Sequence, residues 1–254
     1  MKITIIGPGK MALALAKGLE EEHELTIVGR DGERLLQFTN LLSKHARTAL
    51  LEKYEIDGQI VVLCVKPHSL KEVAASLKGK ADTLYSILAG TQIRELKRSI
   101  KAESYVRAMP NLAAAYRTSM TALTGDSAKR GEAEDLFRSI GETLWVDSEK
   151  ELDIATAIAG SGPAFLSLVA ESLADGGVKE GLKRKDAAKL VEGLFKGFST
   201  LIAHSHPALI KDEVMSPGGT TAAGYAALES GRARDAFIKA VSGAYGVTKS
   251  DRQE

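Results

Sequence analysis

The chain has 254 residues, a hydrophobic content of 44% and a formal net charge of +1. That length accommodates two domains, and the near-neutral balance leaves no general basic surface for nucleic acid or anionic lipid. The only cysteine, Cys64, lies in the apolar run 60–65; it reads as a packing thiol, no metal-ligating set is expected, and no disulfide can form within the chain, which fits a reducing, cytoplasmic setting. The first apolar run is short and meets Gly7 at once, so it does not read as a secretory signal.

In chain order, residues 2–6 predict an apolar strand, 10–22 an Ala- and Leu-rich helix, 24–28 a second strand and 31–45 a helix. Residues 60–65 are apolar on both faces, as a central parallel strand requires. A helix at 70–77, a strand at 83–88 and a helix at 93–100 continue the alternation. Strands are expected at 105–108, 120–123 and 143–146, with a helix at 129–140 before the last. Such alternation implies a doubly wound α/β domain on a parallel sheet.

The character changes near Asp147. Ser148 and Glu151 have capping-box spacing, and only helices are expected afterwards. The division is therefore 1–147, a dinucleotide-binding domain, and 148–254, a helical domain. The apolar stretch 154–178 is broken by Gly160, Gly162, Pro163, Glu171 and Asp175, and reads as core helices rather than a membrane span. Leu190, Val191, Leu194, Phe195, Phe198, Leu201 and Ile202 recur at helical spacing and form a broad apolar stripe, read as core or subunit contact. The polar tail 248–254 is expected to fray.

Gly7, Gly9 and Ala12 fit G-x-G-x-x-G/A between a strand and a helix. That pattern provides a tight turn, close backbone approach to a pyrophosphate and tight helix-on-strand packing. Gly7, Pro8, Gly9, Lys10 and Met11 are therefore candidate cofactor contacts. The second strand is followed by Arg30 where an NAD site usually carries an acid. A guanidinium suits a 2′-phosphate, so NADPH is expected to be preferred, with NADH possible. Val65-Lys66-Pro67, Ala89-Gly90 and Asn111 end later strands, at the rim where ligands of open sheets gather.

Near the other end, Ser216-Pro217-Gly218-Gly219-Thr220-Thr221 precedes an expected helix. Two glycines at a helix start leave backbone N–H groups uncovered, with hydroxyls beside them. Ser216, Gly218, Gly219, Thr220 and Thr221 thus form a socket for a small carboxylate. A cofactor site and a carboxylate site together point to redox chemistry on a small acid.

Taken together, these motifs resemble those of the Δ1-pyrroline-5-carboxylate reductases along nearly the whole chain. The glycine motif, Val65-Lys66-Pro67, Ala89-Gly90, Met109-Pro110-Asn111, Gly160-Ser161-Gly162-Pro163-Ala164 and His206-Pro207 occur in the family's order, and the stretch Ser216 to Thr221 is the most specific. Two positions depart from the usual pattern: Pro8, where a small residue is common, and Leu51, where some members carry a polar residue. The resemblance implies a Rossmann domain, a helical dimerisation domain, a homodimer or higher homo-oligomer, and reduction of a cyclic imino acid to L-proline with NAD(P)H. It also implies that Thr221 hydrogen-bonds the ring nitrogen.

The rival readings are a reductase of another small carbonyl or imine acid, and a non-catalytic nucleotide sensor on the same fold. Reducing a 2-oxo acid creates an alkoxide that His or Lys normally protonates. His23, His45, His68, His204 and His206 all lie outside the glycine motifs, and His206 reads as a helix-start residue. The expected helix 155–173 carries Gly160-Ser161-Gly162-Pro163 and no lysine. That turn either faces the nicotinamide or lets helices pack closely. A complete anion socket favours a catalyst over a sensor.

Overall fold

The structure, a computed structural model, describes residues 1–250. They divide into two compact units: Met1–Ser161 together with the stretch from Gly243 onward, and Gly162–Ser242.

The first unit alternates β1 (Lys2–Ile6), α1 (Lys10–Leu19), β2 (Glu24–Gly29), α2 (Gly32–Thr39), β3 (Arg47–Leu50), β4 (Tyr54–Glu55), β5 (Ile60–Leu63), α3 (Leu70–Ala75), β6 (Leu77–Lys78), β7 (Ala81–Ser86), α4 (Ile93–Ser99), β8 (Ala102–Met109), β9 (Ser119–Gly125), α5 (Arg130–Arg138), β10 (Gly141–Trp145) and α6 (Glu149–Ala155). Eight strands form one sheet in the order β10-β9-β8-β7-β5-β1-β2-β3, while β4 and β6 pair with each other. Starting from β1 the chain moves outward to β3, then crosses back to β5 and on to the other edge. The strand order therefore reverses between β1 and β5.

Strand periodicity explains the two layers. Ile3 and Ile5 point to one face, with Ile27, Val62 and Tyr85, and pack on Leu15 and Leu19 of α1 and Phe137 of α5. Ile6, Val28, Leu63 and Leu84 point to the other, against Leu70 and Val73 of α3 and Leu96 of α4. With helices on both faces, the central strands are apolar throughout.

Beyond the extra β4–β6 pair, the unit departs from the sequence expectation in three places. Strands β8 and β9 are antiparallel, so the sheet is not wholly parallel. An extra edge strand, β3, pairs with β2; its residues, Arg47-Thr48-Ala49-Leu50, show no apolar alternation. Helix α2 ends at Thr39 rather than His45 because a tertiary contact redirects the chain. The carboxylate of Glu20 accepts hydrogen bonds from the backbone N–H groups of Ser43 and Lys44, each at 2.9 Å from Oε2.

Helix α6 starts as its sequence indicates: Ser148 Oγ accepts from the Glu151 N–H at 3.2 Å, and Glu151 reaches back to the Asp147 N–H. It belongs to the first unit, so the division in contacts falls after Ser161 rather than at the change of sequence character near Asp147. The reason is a buried ion pair. Arg107, on the α6-facing side of β8, is completely buried, and its two terminal nitrogens meet Glu149 Oε1 at 3.1 Å and Asp153 Oδ1 at 2.9 Å. Burial pulls the guanidinium's pKa down, and Glu149 opposes that. The same Glu149 oxygen accepts from the Ile93 N–H at 2.8 Å, capping α4, whose Gln92 offers no side-chain cap.

After α6 comes a π turn, Thr156–Gly160, and then α7 (Gly162–Lys179), α8 (Arg184–His204), α9 (Pro207–Val214), α10 (Thr220–Ser230) and α11 (Ala233–Ser250). In the second unit α7 and α8 pack as a hairpin, with Gly177 letting Leu182 and Ala187 come close. Its buried apolar residues are few: Ala174, Ala187 and Ile210. Leu166 and Leu168 are exposed in the single chain, contrary to the expectation of core helices, and so are Leu190, Leu194 and Phe198 of the stripe read as core or subunit contact. A handful of helices cannot by themselves bury all their apolar faces. Of the tail expected to fray, 248–250 complete α11, and 251–254 lie outside the described residues.

Removing one partner of a buried ion pair leaves an uncompensated charge, at a cost of about 3–5 kcal/mol. Asp153→Ala is therefore expected to lower the thermal midpoint steeply. Lys189→Ala, which removes a solvent-exposed pair with Glu192, is expected to leave it nearly unchanged. Circular-dichroism melts of the two variants compare the effects directly.

Candidate active site

The first anion-binding feature stands where β1 meets α1. Gly7 has φ +101°, and a Cβ there would lie 2.7 Å from Val65 Cγ1 and 3.0 Å from the Cys64 carbonyl oxygen. Only glycine fits. Its N–H donates to the Val28 carbonyl at 2.9 Å, and the Gly9 N–H donates to the Gly7 carbonyl at 2.8 Å. Gly9 is the N-cap of α1 and offers no side-chain cap, so the first N–H groups of α1 have no partner from that residue. A Cβ at Gly9 would meet nothing within 4 Å. The opening is therefore a place where a phosphate can approach backbone closely. Ala12 is fully buried, as the third small position of the motif requires.

Around this start lies a cavity of about 450 Å³ at the carboxyl ends of β1 and β5, where the strand order reverses. Gly7, Pro8, Gly9, Arg30, Val65 and Lys66 line it together. The sequence motifs did not single out Arg34, Ser69 and Val73, which also line it. Ser69 and Val73 stand one helical turn apart at the start of α3, a spacing that offered a signal once the strand before them was placed. Lys10, Met11, Pro67, Ala89, Gly90 and Asn111 are not among its lining residues.

The polar groups at the mouth have distinct duties. Asp31 N-caps α2, its Oδ1 accepting from the N–H groups of Glu33 at 2.9 Å and Arg34 at 3.2 Å. Arg30 forms an ion pair with Glu72 of α3. Cys64 is half-buried, and burial pushes its thiol pKa up, consistent with a packing role. Further along the sheet edge, Gly90 takes φ +72° beside the exposed Ala89. Asn111 directs its side chain into the protein: Oδ1 accepts from the Ala113 N–H at 2.9 Å, and Nδ2 donates to the Ala159 carbonyl in the π turn at 3.0 Å. The sequence expects Asn111 to offer an amide contact at this rim; within the chain that amide holds the turn.

The second feature lies in the helical unit. His206 caps α9, its Nδ1 accepting from the Ala208 N–H at 3.2 Å. After α9 the chain turns through Ser216 to Gly219, with the Gly219 N–H donating to the Ser216 carbonyl at 3.0 Å and Gly218 at φ +69°. Gly219 is the N-cap of α10, again without a side-chain cap. The first N–H to donate to its carbonyl belongs to Ala223, at 3.2 Å. The N–H groups of Thr220, Thr221 and Ala222 stand ahead of that bond at a helix N-terminus. Ser216 and Thr220 are exposed and Thr221 is half-buried. A Cβ at Gly219 would lie 2.4 Å from Ser216 Oγ, so the serine hydroxyl occupies the space beside the glycine backbone.

Comparisons with known proteins find likenesses over both regions of the chain. A family model described as pyrroline-5-carboxylate reductase dimerisation matches residues 149–250. One described as NADP oxidoreductase, coenzyme F420-dependent, matches residues 2–90. The pyrroline-5-carboxylate reductase of Helicobacter pylori strain J99 is 35% identical, over 94% of this chain and 95% of its own. Among solved structures, 1-pyrroline-5-carboxylate reductase of Streptococcus pyogenes has a TM-score of 0.87 at 33% identity, covering 98% of each chain. Plasmodium falciparum pyrroline carboxylate reductase with NADP bound has a TM-score of 0.82 at 28% identity, covering 99% of each.

The two glycines of the first motif are expected to fail differently. Gly9→Ala adds a methyl into open space and is expected to lower the thermal midpoint of the nucleotide-free protein by only about 2–4 °C, the scale of a poorer helix cap, while weakening dinucleotide binding about tenfold or more. Gly7→Ala forces a left-handed residue against Val65 and is expected to lower both. Melting curves and calorimetric titration of each variant read these outcomes.

Proposed function

The chain belongs to the pyrroline-5-carboxylate reductase family, and we propose how its own residues carry the work. It is an oxidoreductase that reduces 1-pyrroline-5-carboxylate to L-proline, the last step of proline biosynthesis, with NADP as cofactor. The residues at the strand-order reversal fit that cofactor. Gly9 leaves backbone open to a pyrophosphate, and Arg30, Arg34 and Lys66 bring positive charge to the same cavity. The 1–147 segment is the dinucleotide-binding domain in this reading, and 148–254 binds substrate and partner subunit. Gly7, Pro8, Gly9, Lys10 and Met11 cradle the phosphates. Arg30 meets the 2′-phosphate and confers preference for NADPH. Val65, Lys66, Pro67, Ala89 and Gly90 border the ribose and nicotinamide, and Asn111 acts by holding the π turn.

When bound, the reduced nicotinamide supplies a hydride to the imine carbon. The chain's task is to bind and orient the acid. The uncovered N–H groups at the start of α10, with Ser216, Gly218, Gly219 and Thr220, hold the substrate carboxylate, helped by the helix-start dipole. Thr221 Oγ1 accepts a hydrogen bond from the protonated ring nitrogen. Because an imine is basic enough to arrive protonated, hydride addition yields a neutral secondary amine, which then takes a proton from water. No strong general acid is needed, in keeping with the absence of lysine from α7 before Lys179. The observation that supports this reading most is the start of α10, where Gly219 leaves the helix uncapped beside Thr221.

We also infer a homodimer or larger homo-oligomer, located in the cytoplasm. The run Glu149–Lys179 is long and apolar enough, by length and composition, to cross a membrane. Its place within the segment matched by the dimerisation family, next to the exposed apolar residues of α8, supports a subunit interface instead. The single thiol fits a reducing compartment.

Following NADPH oxidation with 1-pyrroline-5-carboxylate beside a panel of 2-oxo acids tests the assignment; turnover is expected with the imine alone. Thr221→Ala is expected to lower kcat/KM about 10–100-fold, the loss of one hydrogen bond to a charged group, with NADPH affinity unchanged. Full activity in that variant removes Thr221 from the mechanism.

A further inference from the structure

The cavity mouth carries one acid that none of the motifs explains. Glu72 lies in the first turn of α3, between the two cavity residues Ser69 and Val73, and its Oε1 sits 2.5 Å from Arg30 Nη1. Both side chains are exposed, 62% for Arg30 and 60% for Glu72. An ion pair so open to water adds little to stability, so the fold gains little from holding Glu72 there. Arg34 and Lys66 line the same cavity, and among the described residues neither has a carboxylate partner. The other acid at the mouth, Asp31, already caps α2. Glu72 is therefore the carboxylate at this mouth that neutralises a cavity cation.

We propose that Glu72 is a specificity-determining residue, one that competes with the nucleotide's 2′-phosphate for Arg30 and so limits the preference for NADPH over NADH. The proposal rests on the reading of Arg30 as the 2′-phosphate contact. A 2′-phosphate brings up to two negative charges to the guanidinium. It must share or displace a carboxylate already seated on Nη1, and it meets that carboxylate as a like charge. A nucleotide with a free 2′-hydroxyl brings no such charge and meets no such competition. The acid thus subtracts affinity selectively from the phosphorylated cofactor, and from its oxidised form as much as its reduced one, which eases release of product cofactor.

Calorimetric titration of the purified protein with 2′,5′-ADP and with 5′-AMP tests this without turnover. Glu72→Gln is expected to tighten 2′,5′-ADP about 3–10-fold, the scale of one unit charge a few ångströms away in a solvent-exposed site. Binding of 5′-AMP is expected to change less than about twofold, and the gain to shrink as salt screens the site. Arg30→Ala is expected to weaken 2′,5′-ADP far more than 5′-AMP. Equal losses for both ligands in Arg30→Ala overturn the Arg30 reading and this proposal with it. A selective loss in Arg30→Ala, with 2′,5′-ADP binding unchanged or weaker in Glu72→Gln, leaves Arg30 in place and overturns the role of Glu72.

Discussion

The N-terminal unit depends on there being no side chain at position 7. With φ at +101° and Val65 and the Cys64 carbonyl closer than van der Waals contact to where a Cβ would stand, the backbone of Gly7 closes directly on the strand beside it. That closeness is what lets β1 end at the sheet edge and α1 begin at once, its N-terminus aimed along the edge where β1 and β5 part. Pro8 then folds over Gly29, where a Cβ would come within 3.0 Å of its ring. Two strands and one helix are thereby locked around a single open backbone stretch at Gly9. The cavity, the cations around it and the dinucleotide chemistry all follow from that closure.

Helix starts in this chain differ in what stands at the cap position. Asp31, Ser148 and His206 each turn a side chain onto the N–H groups of their own helix, and those starts are structural. Gly9 and Gly219 provide no such cap, at α1 and α10; nor do Ser69, Gln92, Lys129 and Lys183 at α3, α4, α5 and α8, but those four place a side chain at the cap position where the glycines leave bare backbone. Glycine in place of a good cap forgoes only about a few tenths of a kcal/mol, so leaving these two starts open costs the fold little. In the present reading a bound phosphate or carboxylate supplies the missing acceptor and a full negative charge besides. Asp31 shows the contrast within a few residues: an acid after β2 suggests a ribose contact, yet its Oδ1 is committed to α2.

The sequence disclosed those features whose causes are local. The strand β5 is apolar on both faces, the glycine turn joins strand to helix, and Ser148 and Glu151 mark the start of α6 at fixed spacing. What it concealed depends on residues far apart along the chain. Helix α2 stops early because Glu20 captures the Ser43 and Lys44 N–H groups. Strand β3 exists because β2 offers it an edge, not because its own residues alternate. Arg107 stood in plain view within an apolar strand, but its partners Glu149 and Asp153 come from a helix that the change of composition assigned elsewhere. The same holds at the site: Gly7 to Met11 were visible as a motif, whereas Arg34, Ser69 and Glu72 joined it only through folding.

The bare apolar faces of the helical unit have a consequence for the enzyme's durability. Leu190, Leu194, Phe198, Leu201 and Ile202 leave water only when another surface covers them. If that surface is a second copy, folding of this half is governed by mass action. Dilution then exposes the stripe, and crowding many copies together shields it. Such a protein has no single melting temperature: its resistance to heat climbs with its own abundance, and a cell that makes little of it also makes it fragile.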